Sequence, residues 1–106
     1  MFKSSSSVRT GHASRYLQQL CKHFGHKIPV EFTPEKGECR FPFGIARLRA
    51  DGERLTVEIE AADADHRARA QEVIEVHLVR FAFRETLGPM DWSEDGTREG
   101  NEKGAG

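Results

Sequence analysis

Apolar side chains between Ala13 and Phe24 recur with the spacing of one face of an α-helix. They fall at i, i+3, i+4, i+7, i+8 and i+11, which are Ala13, Tyr16, Leu17, Leu20, Cys21 and Phe24. This spacing predicts an amphipathic helix over these residues. Thr10 or Gly11 can begin the helix, and Gly25 follows its last apolar position, where a left-handed cap residue is expected.

Beyond this helix the period of the pattern changes to two, which is typical of strands buried on one face. Ile28, Val30 and Phe32 alternate with polar residues, and Pro29 cannot donate to a ladder, so this strand is expected at a sheet edge. Three further alternating segments predict more strands, at 39–43, 46–50 and 55–59. Asp51-Gly52 is a strong signal for a hairpin between the last two.

A second amphipathic helix is predicted after Asp63, a natural N-cap, and runs to about Phe81. Its apolar face consists of Ala70, Val73, Ile74, His77, Leu78 and Phe81. We expect Phe83 to pack just beyond this helix. Trp92 is expected to dock on the core as the last ordered anchor of the chain.

Polar runs close the chain at both ends. Residues 1–7, with four consecutive serines, are expected to form a flexible N-terminus, and Val8 is the first residue able to pack, in a short strand. Residues 93–106 hold no apolar side chain larger than alanine and are expected to be a disordered tail. Residues 8–92 then form one α+β domain. It is a two-layer sandwich of order β-α-β(3–4)-α, in which two helices cover one face of an antiparallel sheet.

Composition narrows the class of protein. The chain has 106 residues, 31% of them charged, and a formal net charge of -1, so no basic excess favours nucleic acid. No apolar run approaches the roughly 18 residues of a membrane-spanning helix. Two cysteines outside any CxxC pair suit a reducing compartment, so we expect a cytoplasmic protein.

One face of the first helix is basic, opposite its apolar stripe. It carries His12, Arg15, Gln19, Lys22 and His23, and His26 and Lys27 follow directly. A solvated basic face is one interpretation, and a patch of N–H donors that holds an anionic ligand is the other.

Histidine chemistry leaves two further possibilities open. Cys21 and His23 are two residues apart on a helix and point about 200° apart, so they cannot share a metal ion, whereas His23 and His26 with a third ligand can. His77, within the apolar face of the second helix, is either a satisfied core residue or a buried base near a helix seam. No nucleophile elbow, cysteine dyad or phosphate loop is present, so an enzyme is not the favoured class and no cofactor is expected.

Two long segments resemble a known family. RYLQQLCKHFGHKIPVEF and HLVRFAFRE, within a likeness that extends from Val8 to Trp92, are similar to the bacterial family of unknown function numbered 2218. Some members of that family are associated with FAD-dependent siderophore-interacting reductases, so the resemblance implies an accessory role in iron acquisition. The positions here that match its motif segments are Arg15, Tyr16, His23, His26, Lys27, His77, Arg80 and Arg84.

These eight residues are therefore the candidate ligand-binding set. The leading hypothesis is a non-catalytic binding or accessory module for a small anionic ligand such as a ferric chelate. The alternatives are a metal or haem site built from His23, His26 and His77, and a module that docks on a flavin-dependent reductase through Phe81 to Phe83 or through an exposed sheet edge. A small hydrolase or isomerase with His77 as base ranks last, because no second catalytic group is evident.

Overall fold

The computed structural model describes residues 1–85 and 90–95. Six antiparallel strands form one sheet in the order β2-β3-β4-β5-β1-β6, and two helices pack on one of its faces. The predicted two-layer α+β sandwich is confirmed. In chain order the elements are β1 (Phe2–Arg9), α1 (Ala13–Phe24), β2 (Val30–Phe32), β3 (Lys36–Phe41), β4 (Gly44–Ala50), β5 (Arg54–Ala61), α2 (Ala64–Phe81) and β6 (Ser93–Asp95).

The core lies between the sheet and the helices. Leu55, Val57 and Ile59 of β5 are at most 1% exposed and face Leu17, Leu20 and Cys21 of α1 and Ile74 and Leu78 of α2 across one apolar cluster. The alternation of period two in the strands and of 3.6 in the helices produces this single buried layer. The intervening strand residues form the uncovered face of the sheet.

The prediction of a flexible segment at residues 1–7 is wrong. Phe2–Arg9 is β1, which pairs along its whole length with β5, and Ser4 and Ser6 oppose Ile59 and Val57. Both serines point toward the helices and are only 4% and 6% exposed. Strand pairing uses backbone groups, which serine supplies as well as valine does, and so the polar side chains concealed the strand.

The structure also shortens the predicted tail. Ser93–Asp95 forms β6, an edge strand that pairs with the start of β1. Arg67 of α2 donates to Glu94 Oε1 at 3.0 Å, and this contact ties the edge strand to the helix layer. The remaining tail, 96–106, lies outside the described residues.

The end of α1 differs from the expected left-handed cap. Gly25 has φ −62° and ψ −14°, a right-handed conformation, and its N–H donates to Cys21 O at 2.9 Å. The N–H of His26 then donates to His23 O at 3.3 Å, and that of Lys27 donates to Phe24 O at 3.0 Å. These hydrogen bonds continue the coil of the helix as a tight turn through His26 and Lys27.

Helix α2 begins as predicted, with the Asp63 carboxylate accepting from His66 N. The side chain of Phe83, in contrast, is 75% exposed, so the prediction that it packs just beyond the helix is wrong. Trp92 packs against the core as predicted, and its Nε1–H donates to Glu75 Oε1 at 3.2 Å. In the described part of the chain, neither helix has the length and apolar character needed to span a bilayer.

A histidine cluster at the seam of the two helices

Two histidines from different helices meet where α1 ends against α2. The ring centroids of His23 and His77 lie 4.8 Å apart, with their planes tilted by 41°. His77 Nδ1 lies 2.8 Å from Val73 O, one turn earlier on α2. A carbonyl oxygen can only accept, so Nδ1 carries a hydrogen, and in the neutral ring the lone pair is on Nε2. His77 is half-buried, and this hydrogen bond selects one of its two neutral tautomers.

Aromatic rings support the histidine pair from below. The Phe24 ring lies 5.1 Å from His77 and 5.0 Å from Phe41, both edge to face, so it fills the space between the pair and the sheet. On the solvent side Phe81 contacts His23 edge to face at 5.7 Å. The rings are therefore fixed by packing, and at the helix seam His77 contacts His23 and Phe24.

Cationic groups surround His23. Partial burial lowers the pKa of His23 from its ordinary 6.5, and the positive charges of His77, His26, Lys27 and Arg80 lower it further. Among the residues that the structure describes, no carboxylate contributes to this shift. We call these five residues the histidine cluster: His23, His26, Lys27, His77 and Arg80. The lowered pKa favours the uncharged form of His23. Lys27 and Arg80 are the residues of the cluster that carry a permanent positive charge.

Two other predicted site residues lie at the opposite end of α1. The Tyr16 hydroxyl donates a short hydrogen bond to Glu85, and the ring is 5% exposed. Burial and this hydrogen bond raise the pKa of Tyr16 to about 12, against a small opposing effect of the nearby Arg15. The Tyr16 hydroxyl already has its acceptor, and it lies two turns, or about 10 Å, from His23 along the helix.

Glu85 organises this second cluster, and the sequence analysis missed it. Thr10 Oγ1 donates to both of its carboxylate oxygens at 3.0 Å. The hydrogen bond from Tyr16, that from Thr10 and the proximity of His12 lower the pKa of the Glu85 carboxyl. Glu85 is 69 residues from Tyr16 in the chain, so no local spacing could have paired them.

Arg84, the eighth predicted residue, belongs to neither cluster. Its guanidinium carbon lies 5.4 Å above the Phe83 ring, past the end of α2, and both side chains are exposed. The structure thus gathers five of the eight predicted residues in the histidine cluster and places Arg15, Tyr16 and Arg84 elsewhere.

The geometry narrows the metal hypothesis. Within residues 1–85 and 90–95, no three His, Cys, Asp or Glu side chains converge as a ligand set. His26 lies in the turn after α1, and His77 is the histidine of the described chain whose ring contacts the His23 ring. A metal ion at this site would therefore rest on two imidazoles and on ligands from solvent or a bound molecule.

Both cysteines lie in the core, as the helical geometry requires for Cys21. Cys21 and Cys39 are fully buried, and their Sγ atoms are 3.9 Å apart between α1 and β3. The hydrogen bond with Cys21 and burial hold the pKa of the Cys39 thiol above its usual range. Gly37 allows α1 to approach β3 this closely, because a Cβ at this position would lie 2.6 Å from Cys21 Sγ. Neither thiol reaches the histidine cluster.

Two depressions in the described surface do not include His23 or His77, although Arg80 lines the second. One, of about 620 Å³, is on the uncovered sheet face and includes Glu38 and Arg47. There Glu38 bridges Arg40 at 2.8 Å and Arg47 at 3.4 Å, so the charges neutralise one another in solvent. The other, of about 720 Å³, lies along the outer side of α2 beside Trp92.

Comparison with known proteins gives a family and a solved relative. The model of the family DUF2218, described as "Uncharacterized protein conserved in bacteria", matches residues 5–93. The NMR structure of PA4090 from Pseudomonas aeruginosa is 41% identical, covers 88% of this chain and 96% of its own, and superposes with a TM-score of 0.75. No curated protein matches the chain. Neither description names a siderophore, iron or a reductase.

Proposed function

We propose that this chain, which belongs to the bacterial family DUF2218, is a non-catalytic module that binds a small anion at the histidine cluster. One observation carries the proposal. Every charge that shifts the pKa of His23 is positive: His26 and Lys27 lie in the turn after α1, and His77 and Arg80 lie in α2. Like charges brought together by two segments repel one another, and a bound anion relieves that repulsion.

The side chains of the cluster suit an anion in their donor chemistry. Lys27 and Arg80 are exposed and carry permanent charge, so they can bond a carboxylate or phosphoryl oxygen without losing much solvation. His23 can be protonated at little cost once the anion is present, because opposite charge raises an imidazole pKa. Binding is therefore expected to strengthen as the pH falls from about 7.5 to 6.

The ligand class includes ferric chelates. The resemblance described above suggests iron acquisition, and ferric complexes of carboxylates and catecholates carry net negative charge. The histidine cluster supplies charge complementarity for such a ligand but no feature that selects iron. Ferric chelates are therefore tested beside iron-free anions of the same charge.

The test is titration calorimetry of the full chain with phosphate, citrate, ferric citrate and a ferric catecholate. We expect at least one of these anions to bind, and binding to weaken about tenfold or more in Lys27→Ala with His23→Gln. Arg49→Gln is the matched control, because it removes an exposed cation from the uncovered sheet face. Absence of heat with all four anions, or equal loss in the control, would overturn the proposal.

A second candidate, a transition-metal site, is favoured by one specific feature. The hydrogen bond from His77 Nδ1 to Val73 O is the outer-shell contact that commonly orients a metal-ligating imidazole, and it leaves Nε2 available beside His23. A ring separation of 4.8 Å leaves no room for a porphyrin between the two imidazoles, so a metal ion fits better than haem.

Zinc, nickel and copper titrations of protein purified without an affinity tag test this candidate. We expect stoichiometric metal that is lost in His77→Phe and retained in His66→Phe, a histidine at the other end of α2. A metal-free protein that takes up none of the three ions would remove the candidate and leave anion binding as the function of the cluster.

A further inference from the structure

The outer side of α2 carries an apolar stripe that no described part of the chain covers. Val76 and Val79 are 45% and 53% exposed on the side of α2 opposite the core, and Phe83, just past the end of the helix, is 75% exposed. The depression beside Trp92 runs along the same side of the helix. Apolar side chains clustered in this way mark an interaction surface more often than chance exposure does.

Charges flank the stripe in a symmetric way. Glu72 stands four residues before Val76 and Arg80 four residues after it, both exposed. Four residues correspond to about 6 Å along the helix and about 40° around it, so both charges border the apolar stripe. Glu72 makes no ion pair within the described chain, and Arg80 makes none there either.

We propose that this surface is a homodimer interface, in which α2 packs antiparallel against α2 of a second copy about a two-fold axis at Val76. Such an axis places Glu72 of each copy opposite Arg80 of the other, which makes two equivalent ion pairs. A parallel arrangement would instead oppose like charges. The equal spacing of opposite charges about an apolar centre is the feature that selects a second copy of this chain as the partner.

Docking on a flavin-dependent reductase, which the resemblance suggests for the Phe81–Phe83 segment, would use part of the same surface, because Phe83 is exposed there whereas Phe81 packs against His23. Binding to a reductase, however, does not require a two-fold pattern of charges centred on Val76, because the two partners are not related by symmetry. The homodimer is therefore the occupant that the structure favours, and a reductase complex is an alternative outcome of the test.

Sedimentation of the full chain over a range of concentrations tests the proposal. We expect the wild type to dimerise, and Glu72→Arg and Arg80→Glu each to weaken dimerisation about tenfold or more, since each creates two like-charge contacts. An equimolar mixture of the two variants should dimerise again as a heterodimer, because both interfacial pairs become attractive. Glu58→Arg, on the uncovered sheet face, is the control and should dimerise like the wild type.

Circular dichroism of each variant establishes that it is folded before sedimentation is interpreted. A wild type that remains monomeric at millimolar concentration would overturn the proposal, and so would a variant mixture that stays monomeric. A monomeric chain that binds a purified flavin-dependent reductase, and loses that binding in Val76→Asp, would replace the homodimer with the reductase complex.

Discussion

The two ends of α1 present similar polar side chains and opposite electrostatic situations. Near its start, Tyr16 and Thr10 both donate to Glu85, so a built-in carboxylate occupies the centre of the cluster. Near its end, His23 is surrounded by cations, and no carboxylate of the described chain shifts its pKa. One cluster is internally satisfied, whereas the other is the site at which we propose that an anion binds.

The largest expected effect comes from removing the built-in carboxylate. Glu85→Ala leaves the buried Tyr16 hydroxyl and the Thr10 hydroxyl without their acceptor, and we expect a loss of about 2 kcal/mol in the free energy of unfolding. Chemical denaturation measures it. Glu35→Ala, an exposed turn glutamate, is the control and should change stability by less than about 0.5 kcal/mol. Equal unfolding midpoints for the two variants would contradict the structural role of Glu85.

A smaller loss in the free energy of unfolding is expected when only the hydroxyl of Tyr16 is removed. Tyr16→Phe keeps the ring in the core and deletes one of the hydrogen bonds to Glu85, which should cost about 1 kcal/mol. Thr10 still donates to the carboxylate, so the cost stays below that of Glu85→Ala. Spectroscopic titration of tyrosinate in Glu85→Gln adds an independent check, because the pKa of Tyr16, about 12 in the native chain, should fall. An unchanged pKa in this variant would mean that burial alone raises the pKa of Tyr16.

The pH dependence of stability separates the two ends. The pKa of His23 is lower in the folded chain than its ordinary 6.5, so the unfolded chain binds the extra proton first and stability is lost as the pH falls through 6.5. The pKa of Glu85 is lowered from 4.5, so its contribution disappears only below that pH. Melting temperatures of His23→Gln should vary less between pH 7 and 5 than those of the wild type. A variant as pH-sensitive as the wild type in this interval would contradict the lowered pKa of His23.

The smallest expected effect concerns inorganic phosphate. At constant ionic strength and pH 6, phosphate should raise the melting temperature by about 1–2 °C more in the wild type than in Lys27→Ala, since a ligand stabilises only the state that binds it. Arg49→Gln should respond like the wild type. An equal response in all three proteins would show that phosphate acts through the solvent rather than at the histidine cluster.

Local patterns predicted the elements whose apolar faces are long. Both helices, the edge position of the strand after Pro29 and the Asp51-Gly52 hairpin follow from spacing, proline chemistry and turn chemistry, and the structure confirms each. The strand β1 escaped prediction because Ser4 and Ser6 occupy its buried positions, where valine would have produced a visible alternation. Phe83 was expected in the core from its residue type alone, although the end of α2 directs it into solvent.

The candidate site was predicted in its residue types and not in its grouping. Histidines and cations at the end of α1 are visible as a run in the sequence, and His77 is conspicuous within an apolar face. Their meeting depends on how α2 crosses α1, which no pattern within either helix specifies. The same crossing delivers Glu85 to Tyr16 across 69 residues of chain.

Periodicity and turn chemistry act over a few residues, and so the chain alone determined two amphipathic helices, a sheet with one apolar face and a basic end of the first helix. The packing of the helices on the sheet decided the rest. It brought His23 to His77, buried the serines of β1, supplied Glu85 with its donors and left Val76, Val79 and Phe83 in solvent. These outcomes are set by contacts between residues far apart in the sequence. Alternative packings of the same helices and strands differ in which residues are buried and which charges are paired, and not in local conformation, so local patterns do not select among them.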